Sequence, residues 1–377
     1  MKGTFLYDYE LLKKHTHPHL LKDGDAYVLV VPEYQGRVMT SSSQGMQGCS
    51  YGWINHALIA SGEKQPQIHV YGGEDRFWMG PEGGQYAIFF KTGDSFDFAN
   101  WKTPAIIDTE KFHVLAKNDK TITFVKNAEL TNYAGTHFII KIIRSVSILP
   151  RYEIEQLLHC PIDTSIRCVG YQSINNILNN GNNDWKKEQG LLSIWILGMF
   201  HPSDNTVIIL PIKGGKNAAS HVRDNYFGKV PADRLCIADS TVFFKGDGKM
   251  RGKIGIPPGI VKPVAGSYDS KKHLLTIIQF DFANDSEYVN SLWEIQDDPY
   301  NGDVVNAYND GPLADGTCLG PFYELESSSP AKDLKQGETL THTHKTFHFQ
   351  GQEEKLNNIA RKVLKTDLAK IRELAWE

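Results

Sequence analysis

The sequence predicts a mostly β protein made of packed antiparallel sheets, with helices at the two ends of the chain. Three observations carry this. Strand-like segments recur at close intervals between residues 26 and 350, many separated by Gly, Asn or Asp turns. Several alternate apolar and polar residues, as in Thr121-Ile-Thr-Phe-Val125, the pattern of a strand with one buried face. Sustained three- and four-residue apolar spacing returns only near the C-terminus. A dozen or more strands (about 10 is the usual limit for one twisted open sheet) implies two packed sheets.

Taken in order, residues 4–22 read as a short helix with Leu6, Tyr9, Leu11 and Leu12 on its apolar side. Residues 26–32 (AYVLVVP) and 38–42 read as strands, and glycines at 36, 45, 48 and 52 then break the chain. Residues 53–60 fit a strand or one helical turn. Residues 71–90 (YGGEDRFWMGPEGGQYAIFF) read as a loop between two strands. Gly72-Gly73 lets the chain leave one strand, Gly83-Gly84 lets it enter the next, and residues 85–90 form that second strand. Further strands are expected at 112–116, 121–127, 137–149, 166–175, 193–199, 206–212, 235–244, 253–256, 274–282, 291–295, 322–327 and 339–350. The last element, 353–376, is an amphipathic helix carrying Leu356, Ile359, Ala360, Val363, Leu364, Leu368, Ile371, Leu374 and Ala375, with a break near Thr366-Asp367. With no internal repeat and no low-complexity linker, residues 1–377 read as one domain.

Composition excludes some partners. A formal net charge of -4 lacks the basic footprint of a nucleic-acid binder. No apolar run reaches membrane-spanning length. The five cysteines are scattered without a CxxC pair, and an odd number cannot all pair within the chain. Lys213-Gly214-Gly215 lacks the completion of a phosphate loop, and no cofactor is expected. The N-terminus has no long apolar stretch, so the protein is cytoplasmic, or periplasmic or secreted if a leader was removed.

Chemistry-bearing residues concentrate in three places. The 71–90 stretch crowds Glu74, Asp75, Arg76, Trp78 and Glu82 together, a mixture suited to a polyhydroxylated ligand: guanidinium and carboxylate groups bind hydroxyls, and rings cover C–H faces. Alternatively it is a structural corner with Arg76 paired to Glu74 or Glu82. Glu324 and Glu326, two apart on a predicted strand, share a face. Lining a cleft, they would repel and one pKa would rise toward that of a useful general base; on an edge they would simply face solvent. His342, His344 and His348 share a face of the last strand. An HxH pair can bind zinc given a third ligand, but exposed histidines alternating with Thr are the plainer expectation, and no metal is assigned. Trp293 could stack on a pyranose or pack in the core. Asn309 and Asp310 could take hydroxyls or make a turn.

The order of these motifs resembles the galactose mutarotase-like group, the aldose 1-epimerases and their relatives. The similar segments are Gly73-Glu-Asp-Arg-Phe-Trp-Met-Gly80, Tyr171-Gln-Ser-Ile-Asn175-Asn176-Ile-Leu-Asn179, and the ending with Glu324-Leu-Glu326, Pro330, Leu334-Lys-Gln-Gly-Glu338 and residues 341–349. The resemblance implies a β-supersandwich whose concave sheet holds a sugar cleft, with a sugar or glycan as partner. It makes Glu324 or Glu326 the general base and brings Arg76, Asn175 and Asn176 into the same cleft. It also implies a departure. The family's acid-donating histidine aligns with Asn176, whose amide can hydrogen-bond a ring oxygen but cannot protonate it. His56, His137, His201, His342 and His344 are the possible substitutes. The expected function is therefore carbohydrate binding with weak or no epimerase activity, and the alternative is an active epimerase or sugar isomerase.

Overall fold

The computed structural model describes every residue except 216, 239, 314 and 375–377, so Ala375 and Trp376 of the expected last helix lie outside the described residues. The first strands are β1 (His19–Asp23), β2 (Ala26–Val31), β3 (Arg37–Ser42), β4 (Arg76–Gly80), β5 (His113–Lys117) and β6 (Thr121–Thr131). There follow β7 (His137–Leu149), β8 (Arg167–Asn179), β9 (Ser193–Phe200), β10 (Thr206–Pro211), β11 (Leu235–Ala238) and β12 (Thr241–Lys245). The last are β13 (Gly252–Ile256), β14 (Val264–Asp269), β15 (Leu274–Phe280), β16 (Val305–Asn309), β17 (Tyr323–Ser328) and β18 (Thr339–Gln350). The helices are α1 (Phe5–His15), α2 (His56–Ser61), α3 (Ala105–Asp108), α4 (Arg151–Leu158), α5 (Glu353–Val363) and α6 (Leu368–Arg372).

The strands form three antiparallel sheets: β1-β2-β3, a ten-stranded sheet β11-β12-β10-β14-β15-β18-β8-β7-β6-β5, and a five-stranded sheet β13-β16-β17-β9-β4. Strand alternation explains how the two larger sheets meet. Phe77, Met79, Ile194 and Ile196 of the five-stranded sheet pack with Ile122, Phe124, Ile140, Ile142 and Tyr171 of the ten-stranded one. Ile254, Ala307 and Leu325 likewise pack with Ile208, Leu210 and Phe244. The intervening residues of β4, β9, β13, β16 and β17 therefore point away from this interior, toward the other face.

The C-terminal stripe covers the outer face of the ten-stranded sheet. Leu356, Ile359, Leu364, Leu368 and Ile371 pack with Ile154 and Leu158 of α4 against Ile209, Leu275, Ile277, Phe347 and Phe349. The break expected near Thr366-Asp367 is present, with the Asp367 side chain capping α6 through the Ala369 N–H. No helix among the described residues is long and apolar enough to cross a membrane.

Several expected elements differ. The N-terminal helix stops at His15, because Pro18 disfavours helix at the residue before it, and His19–Asp23 pairs with β2 instead. Residues 53–60 resolve as an isolated bridge followed by α2. The 71–90 stretch holds a strand at its centre, β4, rather than a loop between strands. Gly72 and Gly73, at φ 92° and 112°, make the bend that leads into it. Residues 85–90 are not a strand. Their backbone closes local turns, Ala87 N–H to Gly84 O and Ile88 N–H to Pro81 O, while Phe89 and Phe90 pack on Trp101 and Trp293. Residues 291–295 are likewise a loop, held by Gln296 donating to Asn290 O and Leu292 O. Strands β14 and β16 and helix α4 carried no recognised pattern, and 235–244 divides into β11 and β12.

Candidate functional site

The face of the five-stranded sheet turned away from the core carries a cleft. Register fixes which side chains share it: Arg76 lies opposite Leu197, Trp78 opposite Trp195 and Gly80 opposite Ser193. Glu326 lies opposite Leu197, and Glu324 opposite Met199 on one side and Tyr308 on the other. Lys253 completes the row opposite Tyr308. All belong to the set that alternation turns outward, yet they are buried because two loops cover them. Gly83 of the first loop lies so close to the second that a Cβ there would meet Leu292 O at 2.3 Å. The loops are tied by Glu82 N–H to Ser291 Oγ (3.2 Å), Gln85 Nε2 to Gln296 O (2.9 Å) and Gln296 N–H to Gln85 Oε1 (3.0 Å). This places Glu82 and Trp293 over the cleft, whose main pocket is about 650 Å³ and adjoins a smaller one of about 110 Å³.

Two ion pairs form the floor. Arg76 Nη2 donates to Glu324 Oε1 at 2.5 Å, with its guanidinium 4.9 Å from the Trp78 ring. Arg76 thus pairs with neither Glu74 nor Glu82. Lys253 Nζ and Trp195 Nε1 both donate to Glu326 Oε2 at 3.0 Å, and Lys253 lies 4.7 Å from the Trp195 ring. Burial raises Glu324, Arg76 opposes and Glu326 adds to the rise, so that the carboxyl is pushed up to about 7. Burial also pushes Glu82 up to about 7 against Lys253, with Glu326 reinforcing the rise. For Lys253, burial alone would lower the pKa, but Glu326, Glu82 and Glu324 together raise it.

Buried polar atoms without a hydrogen-bond partner in the protein gather here: Arg76 Nε, Trp78 Nε1, Ser193 Oγ, Arg251 Nε and Glu326 Oε1. Such atoms cost free energy unless a partner satisfies them. Rings border it. Trp293 stacks on Trp101 with centroids 5.8 Å apart, Phe98 stacks on Trp101, and Phe227 lies under Arg251 at 5.4 Å.

The other sequence candidates lie elsewhere. Glu74 is buried between the sheets, accepting from Ser41 N–H and Oγ, Tyr171 Oη (3.1 Å) and His348 Nε2 (3.0 Å). Asn175 and Asn176 sit on β8, in the ten-stranded sheet, so they do not converge with Arg76 and the glutamates. Asn175 accepts from Arg144 and donates to His342 O (3.1 Å) in the interior. Asn176, on the opposite face of β8, donates to Ile143 O (3.3 Å) and accepts from Thr341 Oγ1 (2.7 Å). Asn309 ties the turn before β13, donating to Met250 O and accepting from Gly248 N–H, both at 2.9 Å. Asp310 lies just behind the cleft and accepts from Tyr308 Oη (2.6 Å) and Gly320 N–H (2.9 Å).

No histidine is among the described residues lining the cleft. His56 pairs with Asp8 at 2.6 Å, and His137 with Glu129 at 3.2 Å on the surface. Burial pushes His201 down to about 4. His342 and His344 are buried rather than exposed, each 2.8 Å from Ser327 Oγ, and burial lowers them to about 3 and about 4. No group of three or more His, Cys, Asp or Glu suited to a metal occurs among the described residues. Sequence reasoning missed Trp195, Lys253, Arg251, Tyr308, Phe98 and Phe227. An indole and an ammonium amid aliphatic strands, SIWILGMF and GKIGI, were the available signals.

Comparison with solved structures shows a galactose mutarotase-like fold. The Slr1438 protein from Synechocystis sp. PCC 6803 superposes with a TM-score of 0.53 at 12% identity, covering 89% of this chain and 96% of that one. A putative aldose 1-epimerase from Escherichia coli K12 gives 0.52 at 9% identity, covering 89% and 100%. A galactose mutarotase-like protein from Lactobacillus casei ATCC 334 gives 0.52 at 9% identity, covering 88% and 100%. No curated protein matches the sequence. The model of a family of unknown function, DUF6786, matches residues 3–375, and the chain belongs to that family.

Proposed function

We propose that the cleft over the five-stranded sheet binds a carbohydrate, and that aldose 1-epimerisation by this protein is weak or absent. The observation that carries the binding half is the coincidence, in one recess, of indole rings with unsatisfied polar groups. Arg76, Ser193, Arg251 and Glu326 offer hydrogen bonds beside Trp78, Trp195 and Trp293. Sugars present hydroxyl edges and C–H faces, and this lining has a counterpart for each. Glu324 and Glu326 are the carboxylates available to a sugar hydroxyl. One structure of similar fold is named a putative aldose 1-epimerase, which supports the scaffold and does not by itself assign an activity.

The limit on epimerisation rests on the acid. Ring opening needs a proton at the ring oxygen while a base takes one from the anomeric hydroxyl. A second reading, an active sugar isomerase, draws on one observation. Glu82 projects into the cleft with a pKa near 7 and could hold that proton. Binding is tested on a glycan array followed by calorimetric titration of the sugars retained. The proposal expects saturable binding by the wild type, lost in Trp195→Ala and weakened in Glu326→Gln. An array blank for the wild type, or binding indifferent to both substitutions, would reject it.

A further inference from the structure

We infer that the ligand of this cleft contains at least two linked sugar units. The inference rests on the carbohydrate reading and narrows its substrate class. A hexose has twelve non-hydrogen atoms. Even granting each the roughly 30 Å³ share of a liquid water, it fills about 360 Å³. The main pocket is about 650 Å³, so one hexose leaves nearly half of it open.

Apolar side chains around the mouth offer a surface for a second ring. Phe98, Phe227 and Leu313 are large apolar residues at the mouth that remain 52%, 50% and 41% exposed. Apolar side chains grouped around one recess mark a contact surface, whereas scattered ones need no explanation. Both phenylalanines are braced. Phe98 stacks on Trp101 with centroids 5.9 Å apart and planes 17° from parallel. Phe227 meets the Arg251 guanidinium and the edge of Tyr308. Rings held in this way can receive a pyranose face at little cost in ordering.

The polar groups divide in the same way. Arg76, Glu324 and Tyr308 border the small inner compartment, while Ser193, Asp303 and Asn306 border the larger outer one. Glu82, Trp195, Lys253, Trp293, Phe98 and Phe227 border both, and Leu313 borders the outer one alone. A first unit held beside Glu82 and Lys253, with an edge directed at Glu324 in the inner compartment, leaves the outer part beside Leu313 for the second.

The test is tryptophan emission of the intact protein, titrated with four series of one, two and three units built from glucose, xylose, mannose and galactose. In the series that binds, affinity is expected to rise about tenfold or more from one unit to two. Leu313→Ala, at an exposed position that borders the outer compartment and not the inner one, is expected to weaken the disaccharide several-fold and leave the monosaccharide within about twofold. Equal affinity for one and two units, or binding of monosaccharides alone, would overturn this inference and leave the carbohydrate reading standing. Failure of every member of every series to bind would overturn both.

Discussion

Arg76 and Glu324, 248 positions apart in the chain, form a buried ion pair at 2.5 Å across β9. The pair joins an edge strand of the five-stranded sheet to the strand beyond its neighbour and sets the floor of the cleft. Removing one member of such a pair strands a buried charge. Glu324→Leu, which leaves the guanidinium buried and unpaired, is expected to lower stability by about 3–5 kcal/mol, and Arg76→Met with Glu324→Leu by clearly less. Urea unfolding of the single and double variants checks this. Equal losses in both would show that the unpaired guanidinium carries no such cost.

The second prediction is a pH dependence. Glu82 has a folded pKa near 7 against an ordinary value of 4.5, so the folded state holds the proton more tightly. Its contribution is present below about pH 4.5 and is lost as pH rises through 7. Buried His342 and His344 act in the opposite sense: depressed below 6.5, they cost stability as pH falls through that value. The two effects overlap in wild type, so the difference between Glu82→Gln and wild type isolates the carboxyl. That difference is expected to shift in favour of the variant between pH 5 and pH 8, by up to about 3 kcal/mol. Thermal denaturation across the range measures it, and a flat difference would place Glu82 in ordinary solvent.

Third, the C-terminal helices contribute to stability and not to the cleft. Leu356 is fully buried against the outer face of the ten-stranded sheet. Leu356→Ala is expected to cost about 2–5 kcal/mol while leaving the affinity of a bound sugar unchanged at temperatures where the variant is folded. Loss of affinity in a folded variant would refute the separation.

Fourth, polarimetry on freshly dissolved α-glucose and α-galactose is expected to show mutarotation near the spontaneous rate. A positioned general acid is worth about 10²–10⁴ in rate, so its presence would be plain. Strong acceleration, abolished by Glu326→Gln or Glu324→Gln and by Glu82→Gln, would favour the isomerase reading.

How much of this was legible in the sequence varied with the kind of signal. Strands β7 and β18 were readable to the residue because buried positions recur at every second residue along most of each. β16 was not, because its sequence, VNAYN, is rich in Asn, a turn former, and its burial comes from neighbours distant in the chain. Residues 85–90 misled for the converse reason: an apolar run records burial, and here burial comes from aromatic packing in a loop. Arg76 was identified in what read as a loop crowded with charges and rings, and the two glutamates because they share a face of an expected strand. Asn175 and Asn176 sat in a similar motif, but nothing local in a strand says which sheet it joins, and β8 joins the ten-stranded one. Lys253 and Trp195 acquire meaning only once register sets them beside Glu326.

The most direct test of the central claim uses the indoles that surround the cleft. Trp78, Trp195 and Trp293 line it, and Trp195 donates its N–H to Glu326 at 3.0 Å. A carbohydrate entering the cleft must change their surroundings. Titrating the wild type with the sugars retained on a glycan array, while following tryptophan emission, is expected to give a saturable change that Trp195→Phe reduces and Glu326→Gln shifts to higher concentration. Sugar binding with no change in emission, or a change unaltered in both variants, would place the carbohydrate elsewhere and contradict the account.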